Sequence, residues 1–552
     1  MLQKIRPWLA AHPNWALTLA TVAVFFPFLV KPFNIDEPLF LWAAQQIHAH
    51  PLHPYDFNVN WDWTNIPMWK ITENPPLACY FIALVAAVLG WSELALHSAF
   101  LLPALAVVLG TYRLAKLFCG NPILPALITL FTPVFLVSAN TVMCDVLMLA
   151  FWIWAIVFWV EGLEQRDFRR LLAAGSLIAL GTMTKYYAVC LIPLLAAFSL
   201  ARRRPLGTWA QFLLIPLAVL CAYQYLTAAL YGYSLLYRAM DYASFSKDLF
   251  KVSKLNSGLV ALAFAGGCSG LIAVIAPMLW GRRGLVVFAS GLALIGVALG
   301  CDPALLGQYA GLGNNSLAFV KLQTTFWAAG GLGLLALSLA DFARRRDAFS
   351  LLLFLWMAGT FYFAAFCNWT VNARSLLPMI PAVAILVARL LEQKNLANRK
   401  IMVVCVALPA VLGILVMRAD FLQASAVREC VLAIRTNVDS IAGNVWFEGH
   451  WGFQYYLQEA GATPMDFKHL ELKPGQVIAL PANNTNIQPL DQNQVVALGT
   501  ITVPNPAWLA TWNPAVGAGF YASAWGPIPF AFGRVPPERV TLYQVKPMAL
   551  KN

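Results

Sequence analysis

Clusters of arginine and lysine recur along this sequence at the spacing of membrane spans, and that punctuation restricts the fold more than any other feature. Arg113 with Lys116, Arg166 with Arg169 and Arg170, Arg202 with Arg203 and Arg204, Arg282 with Arg283, Arg344 with Arg345 and Arg346, and Lys394 with Arg399 and Lys400 are separated by one or two apolar runs. Basic residues stay on the cytoplasmic side of spans, so each cluster marks a return to the same face. Hydrophobic residues make up 60% of the chain, charged residues 11%, and the mean hydropathy is +0.67. Those values exclude a soluble multidomain protein of this length. The chain reads as a polytopic α-helical membrane protein. Its formal charge of +12 resides in these clusters rather than on one face, so no nucleic-acid partner is expected.

At about 20 apolar residues per span, the clusters orient about thirteen crossings. The first run, 15–30, follows Lys4 and Arg6, which puts 33–96 on the extracytoplasmic side as a first external loop. Phe33-Asn34-Ile35-Asp36 offers no small-residue cleavage pattern, so the run is expected to stay as an anchor. Residues 75–91 are apolar but lack basic marks at either end, and they read as a helix lying at the outer interface. Spans follow at 97–118, at 122–140, and from Asp145 to near Glu161. Between Arg170 and Arg202 only two shallow crossings fit, with Lys185 at the bend. The remaining spans are 208–229, 257–280, 284–301, 325–342, 349–367, 376–392 and 401–417.

From 419 the composition becomes that of a soluble domain, with β-type runs at 444–447, 476–480, 495–503 and 540–545 and a helical stretch at 452–460. The expected organisation is a transmembrane unit over 1–418 and a small extracytoplasmic α/β domain over 419–552. The protein is thus expected in a plasma or inner membrane as a multi-pass protein. Ten cysteines are scattered singly without CxxC or paired His spacing, which points to neither a disulfide framework nor a cysteine metal site.

Charged groups at or within spans are costly and usually functional. Asp36 and Glu37 after the first run, Glu73 before Pro75-Pro76, Asp145 at the head of a span and Lys185 in the shallow hairpin all fall toward the outer face. Each acid, taken alone, also suits a helix start, since Pro38 and Pro75-Pro76 are residues of a first turn. Lys185 has no such alternative at a helix end.

In this order and on these spans, Ile35-Asp36-Glu37-Pro38, Glu73-Asn74-Pro75-Pro76-Leu77, Asp145, Thr184-Lys185 and Ala373-Arg374-Ser375-Leu376-Leu377-Pro378 resemble the GT-C superfamily of glycosyltransferases. Within it, the nearest resemblance is to the protein mannosyltransferase and aminoarabinose transferase group, over roughly residues 14 to 390. The resemblance implies a GT-C fold, a polyprenyl-phosphate sugar as donor, and a lipid, glycan or protein acceptor. It implies Asp36 as the base, with Glu37, Glu73 and Asp145 orienting the acceptor, stabilising positive charge or, for Asp36 and Glu73, sharing a divalent cation. Lys185 is the implied ligand of the donor phosphate. Asn74 stands where the aminoarabinose-transferase branch carries Lys, so Arg238, with Arg374 and Lys70 behind it, is the expected replacement cation. Asn74, Tyr186, Trp61 and Trp63 are the implied substrate contacts.

The chemistry is consistent with one base. A sugar on a lipid phosphate already has a good leaving group, which cations stabilise without a general acid. A carboxylate taking the acceptor proton then suffices for inversion in a single displacement. The competing expectation is a transporter or flippase of lipid-linked sugars, whose charges would line a pathway across both leaflets.

Overall fold

The computed structural model describes residues 11–250, 253–310, 315–438 and 441–547. Lys4 and Arg6, the basic residues ahead of the first run, lie outside the described residues. Among those described, eight helices are long and apolar enough to cross a membrane, or nine if a bent pair counts as one span. Every run read as a span is helical. The runs at 15–30, 122–140 and 170–202 are built from shorter or interrupted helices, Pro13–Phe25, Ile123–Phe131 with Pro133–Ala139, and Phe168–Thr184 with Leu191–Ala201.

Helix starts are written locally. Ser92 accepts a hydrogen bond from the Ala95 amide to open Glu93–Ala115, and Asp167 accepts from Arg169 and Arg170 to open Phe168–Thr184. Asp347 and Ser350 form a reciprocal capping box at the start of Ala348–Tyr362. Residues 75–91 hold the Leu77–Leu89 helix, which begins directly after Pro75-Pro76 and ends at Gly90.

Two of the interruptions interlock. The run 257–280 bends by 91° between Lys254–Ser269 and Ile272–Trp280, at Gly270 with φ +59°. Pro133, which breaks the 122–140 run, lies against that glycine, and a Cβ on Gly270 would overlap its ring. Nearby, Lys254–Ser269 crosses Leu317–Arg345 in backbone contact. A Cβ on Gly266 would overlap the Trp327 carbonyl, and one on Gly331 the Leu262 carbonyl. Small residues permit such crossings where apolar helices have no hydrophobic drive to associate.

The last apolar run does not stop at the compositional boundary. Arg399–Asn437 is one helix of 39 residues, about 58 Å long, against a hydrocarbon core of about 30 Å. Its buried face continues through Met417, Asp420, Gln423, Val427 and Ile434, so the helix is shared by the membrane unit and the domain beyond it. That domain carries a five-stranded sheet in the order Thr463–Pro464, Val445–Phe447, Val477–Pro481, Glu538–Val545, Val495–Val503. The first three run parallel and the last two pairings are antiparallel. The Trp451–Glu459 helix lies where residues 452–460 read as helical.

Residues 509–532 leave this sheet and form two short hairpins, Leu509–Ala510 with Ala531–Phe532 and Trp512–Asn513 with Ala518–Gly519. They return to the helical unit. Gln323 Nε2 donates to the Phe532 carbonyl at 3.2 Å and its Oε1 accepts from the Phe532 amide at 2.8 Å, while the Phe530 ring meets Trp327 edge-on.

Gly266→Val is expected to lower the thermal midpoint of the detergent-purified protein, because the added side chain has no space at the crossing; overpacking of this kind costs about 1–3 kcal/mol. Gly300→Val, at a glycine with open space around it, is the control and should leave the midpoint almost unchanged.

Candidate functional site

The acids and cations singled out in the sequence come together, although they are supplied by four separate stretches of chain. Asp145 stands in the first turn of Cys144–Gln165, where the helix N-terminus favours a negative group. Its side chain is only 1% exposed, and Lys185 Nζ donates to its Oδ1 at 2.7 Å. Lys185 is reached because the shallow hairpin breaks there: it is an extended residue between Phe168–Thr184 and the 3-10 turn Tyr186–Cys190. Arg374 comes from the other end of the chain. Asn372 caps the short helix Ala373–Leu376 by accepting from the Ser375 amide at 2.8 Å, which fixes where Arg374 projects. Arg374 Nη2 donates to Asp36 Oδ2 at 2.9 Å, and Nη1 lies 4.0 Å from the second oxygen of Asp145. Signs therefore alternate along Asp36, Arg374, Asp145 and Lys185.

Glu73 joins this group from the loop before Leu77–Leu89. Burial and the neighbouring Asp36 carboxylate push it up to about 8, against the opposing pull of Lys185, Arg374 and Arg238. This favours its protonated form at neutral pH.

The adjacent acids Asp36 and Glu37 face different surroundings. The Asp36 side chain is 31% exposed in the site, whereas Glu37 is wholly buried. Glu37 Oε2 accepts from the Asn34 amide at 2.6 Å and Oε1 from the Val142 amide at 2.7 Å. It therefore ties the loop after the first apolar run to the turn that leads into Asp145. Burial raises it to about 7, opposed by Lys31 and by these two amides. Neither Asp36 nor Glu37 accepts a capping hydrogen bond at the start of the Glu37–Ala49 helix.

The other expected contacts are distributed around this centre. Arg238 donates twice to the Lys70 carbonyl, at 3.2 and 2.7 Å, and so braces the Leu235–Phe250 helix against the loop that precedes Leu77–Leu89. Asn74 contributes its carbonyl, which accepts from the Tyr55 hydroxyl at 2.8 Å. Tyr186 turns toward Tyr223 and Gln224 of the Ala210–Tyr231 helix. Trp61 and Trp63 are directed at the strand-rich domain: the Trp61 ring stacks on His450 at 4.5 Å, and Trp63 Nε1 donates to the Asn486 carbonyl at 2.9 Å. The aromatic first loop thus clamps the domain.

Two polar residues beside the site were invisible to sequence reasoning. Lys31, 1% exposed, pairs with Asp420 at 2.7 Å and donates to the Asn140 carbonyl at 3.1 Å. Lys31 is a lone charge at the end of an apolar run, whereas Asp420 follows Arg418 by two residues and so carries no distinct signal of its own. Among the described residues, no three His, Cys, Asp or Glu side chains are grouped to hold an ion. Asp36, one of the two candidate ligands, is already engaged by Arg374.

Residues 73–231 match the family model described as dolichyl-phosphate-mannose-protein mannosyltransferase. That family is one of the GT-C glycosyltransferases. The match covers Glu73, Asp145 and Lys185 and well under half of the chain. No curated protein matches the chain at a significant level. Among solved structures, the chain is similar to the Archaeoglobus fulgidus oligosaccharyltransferase tethered to an acceptor peptide, at 11% identity over 83% of this chain and 64% of that one, with a TM-score of 0.49. It is also similar to ArnT from Cupriavidus metallidurans bound to undecaprenyl phosphate, at 14% identity over 85% and 92% of the two chains, with a TM-score of 0.42. The mycobacterial arabinofuranosyltransferase AftD overlaps at 13% identity over 98% of this chain and 40% of its own, with a TM-score of 0.34. The chain thus spans less than two thirds of the length of the first and third of these.

A carboxyl raised in the folded state is bound to its proton there and free of it in the unfolded chain, so its contribution is fully present at low pH and is lost as pH rises toward about 8. The thermal midpoint of the wild type is therefore expected to fall between pH 5 and pH 8 by more than that of Glu73→Gln. Parallel profiles for the two proteins would contradict the buried, protonated Glu73.

Proposed function

We propose that this protein is an integral membrane glycosyltransferase that moves a sugar from a polyprenyl-phosphate donor to an acceptor hydroxyl or amide on the extracytoplasmic side. The observation that carries the reading is the alternating set Asp36, Arg374, Asp145 and Lys185, with one carboxylate open and the others locked. A flippase pathway calls for charges spread along its length; here they share one depth. Beside them lies an apolar groove of about 280 Å³, lined by Pro76, Leu77, Met183, Tyr223, Leu226 and Tyr231 among others. Met183 in its lining lies two residues before Lys185, at the same end of the Phe168–Thr184 helix, and we assign this groove to the isoprenoid chain of the donor.

The roles follow from exposure and charge. Lys185, a compact ammonium, and Arg374, a planar fork, take the donor phosphate and the charge that grows on it as the bond from C1 to the phosphate oxygen breaks. Asp36 accepts the acceptor proton as the acceptor atom bonds to C1 from the opposite face, which inverts the anomeric configuration. The polyprenyl phosphate departs without needing a proton. Glu73, protonated at neutral pH, donates a hydrogen bond to the sugar or acceptor. Asp145 holds Lys185 in place, and Glu37 holds the loop that carries Asp36.

Purified protein in lipid, supplied with defined polyprenyl-phosphate sugars and a mixed acceptor fraction, tests this. Asp36→Asn is expected to slow transfer by about 10²–10⁴-fold, the usual worth of a general base, while donor binding persists. Transfer that survives intact in Asp36→Asn removes it as the base, and movement of intact donor between leaflets with no product supports transport instead. Lys185→Met should raise the donor KM by about tenfold or more, since a charge-assisted phosphate contact is lost, and should leave the acceptor KM within about twofold.

A further inference from the structure

Residues 520–523 lie directly against the start of the helix that carries Arg374, and the reaction as outlined makes no use of them. The Ala373 amide donates to the Phe520 carbonyl at 2.8 Å, and the Ser523 amide donates to the Val371 carbonyl at 2.8 Å. Ser523 and Thr370 share a hydroxyl hydrogen bond at 2.9 Å. Between these ties the Tyr521 ring meets Arg374, with the guanidinium carbon 5.5 Å from the ring centroid. The Tyr521 hydroxyl donates to Asp420 Oδ1 at 3.0 Å, an oxygen that also accepts from Thr511 at 2.8 Å. The other Asp420 oxygen is held by Lys31 at 2.7 Å. Tyr521, Asp420, Thr511 and Lys31 are all at most 3% exposed, so the chain of contacts is closed to water and has little freedom.

Arg374 itself is underdetermined by its partners on the site side. Its Nη2 reaches Asp36, its Nη1 touches the Met143 sulfur at 3.2 Å and comes no nearer than 4.0 Å to Asp145, and its Nε is buried without a hydrogen-bond partner. A planar fork with one strong contact can rotate about it, and a ring against it fixes the plane.

We infer that Tyr521, anchored through Asp420 to Lys31, is a positioning residue that orients the Arg374 guanidinium toward Asp36, so that the 509–532 segment is a working part of the reaction centre and not an appended domain. The kinetic consequence rests on the glycosyl-transfer reading; the geometric one does not.

Two measurements separate these. In the full-length protein in detergent, phenylglyoxal modification of Arg374, followed by peptide mass spectrometry, should be faster by about fivefold in Tyr521→Leu and by about twofold in Tyr521→Phe, which keeps the ring and loses its anchor. Equal rates in wild type and in a folded variant overturn the inference, and Tyr521→Phe decides if Tyr521→Leu does not fold. In the transfer assay, Tyr521→Leu should lower kcat by about tenfold with the donor KM within about twofold. Made in an Arg374→Lys background, it should change kcat by less than about twofold, because both act through one group. Losses that multiply across the double variant overturn the positioning role. If the wild type transfers no sugar from any donor, the reaction reading fails while the modification rates still test the geometry.

Discussion

Four charges can share one depth beside a membrane only when their signs alternate. Asp36, Arg374, Asp145 and Lys185 do so through contacts of 2.9, 4.0 and 2.7 Å, and removing Asp145, which lies between the two cations, would leave Lys185 without its carboxylate, at a cost of about 3–5 kcal/mol. The rest of the architecture serves that meeting. The broken hairpin brings Lys185 to the bend, the Asn372 cap directs Arg374, and the N-terminal turn of Cys144–Gln165 accommodates Asp145.

The pair Asp36-Glu37 illustrates how one residue of register separates chemistry from structure. Glu37 is fully enclosed and spends both oxygens on backbone amides, one of them in the turn before Asp145. Asp36 is left with an open face. The two acids carry the same charge, one methylene apart in length, and their surroundings differ because the chain after the first apolar run packs one inward and leaves the other at the site.

Much of the helical framework was legible in the sequence because apolar length and basic punctuation are local properties. The bend between 170 and 202, the short helix within 75–91 and the strands near 445, 477, 495 and 540 all appear close to the positions read from composition. The boundary at 419 was a different matter. Composition changes there, but the apolar stripe of Arg399–Asn437 does not, and helical continuity follows the stripe. Trp61 and Trp63 read equally well as an interfacial belt or a sugar platform, and their packing on His450 and Asn486 depends on a domain nearly 400 residues away in the chain.

By itself, the sequence determined that this is a multi-span helical membrane protein and which acids and cations are too costly to be incidental; those conclusions rest on transfer energies and periodicity, which each residue carries with it. Only the tertiary structure decided that Arg374 meets Asp36, that Glu37 turns inward, and that Lys31, Asp420 and Tyr521 form one buried chain of contacts behind the site. Pairings between residues hundreds of positions apart depend on how broken helices interlock, and that geometry is a property of the packed whole.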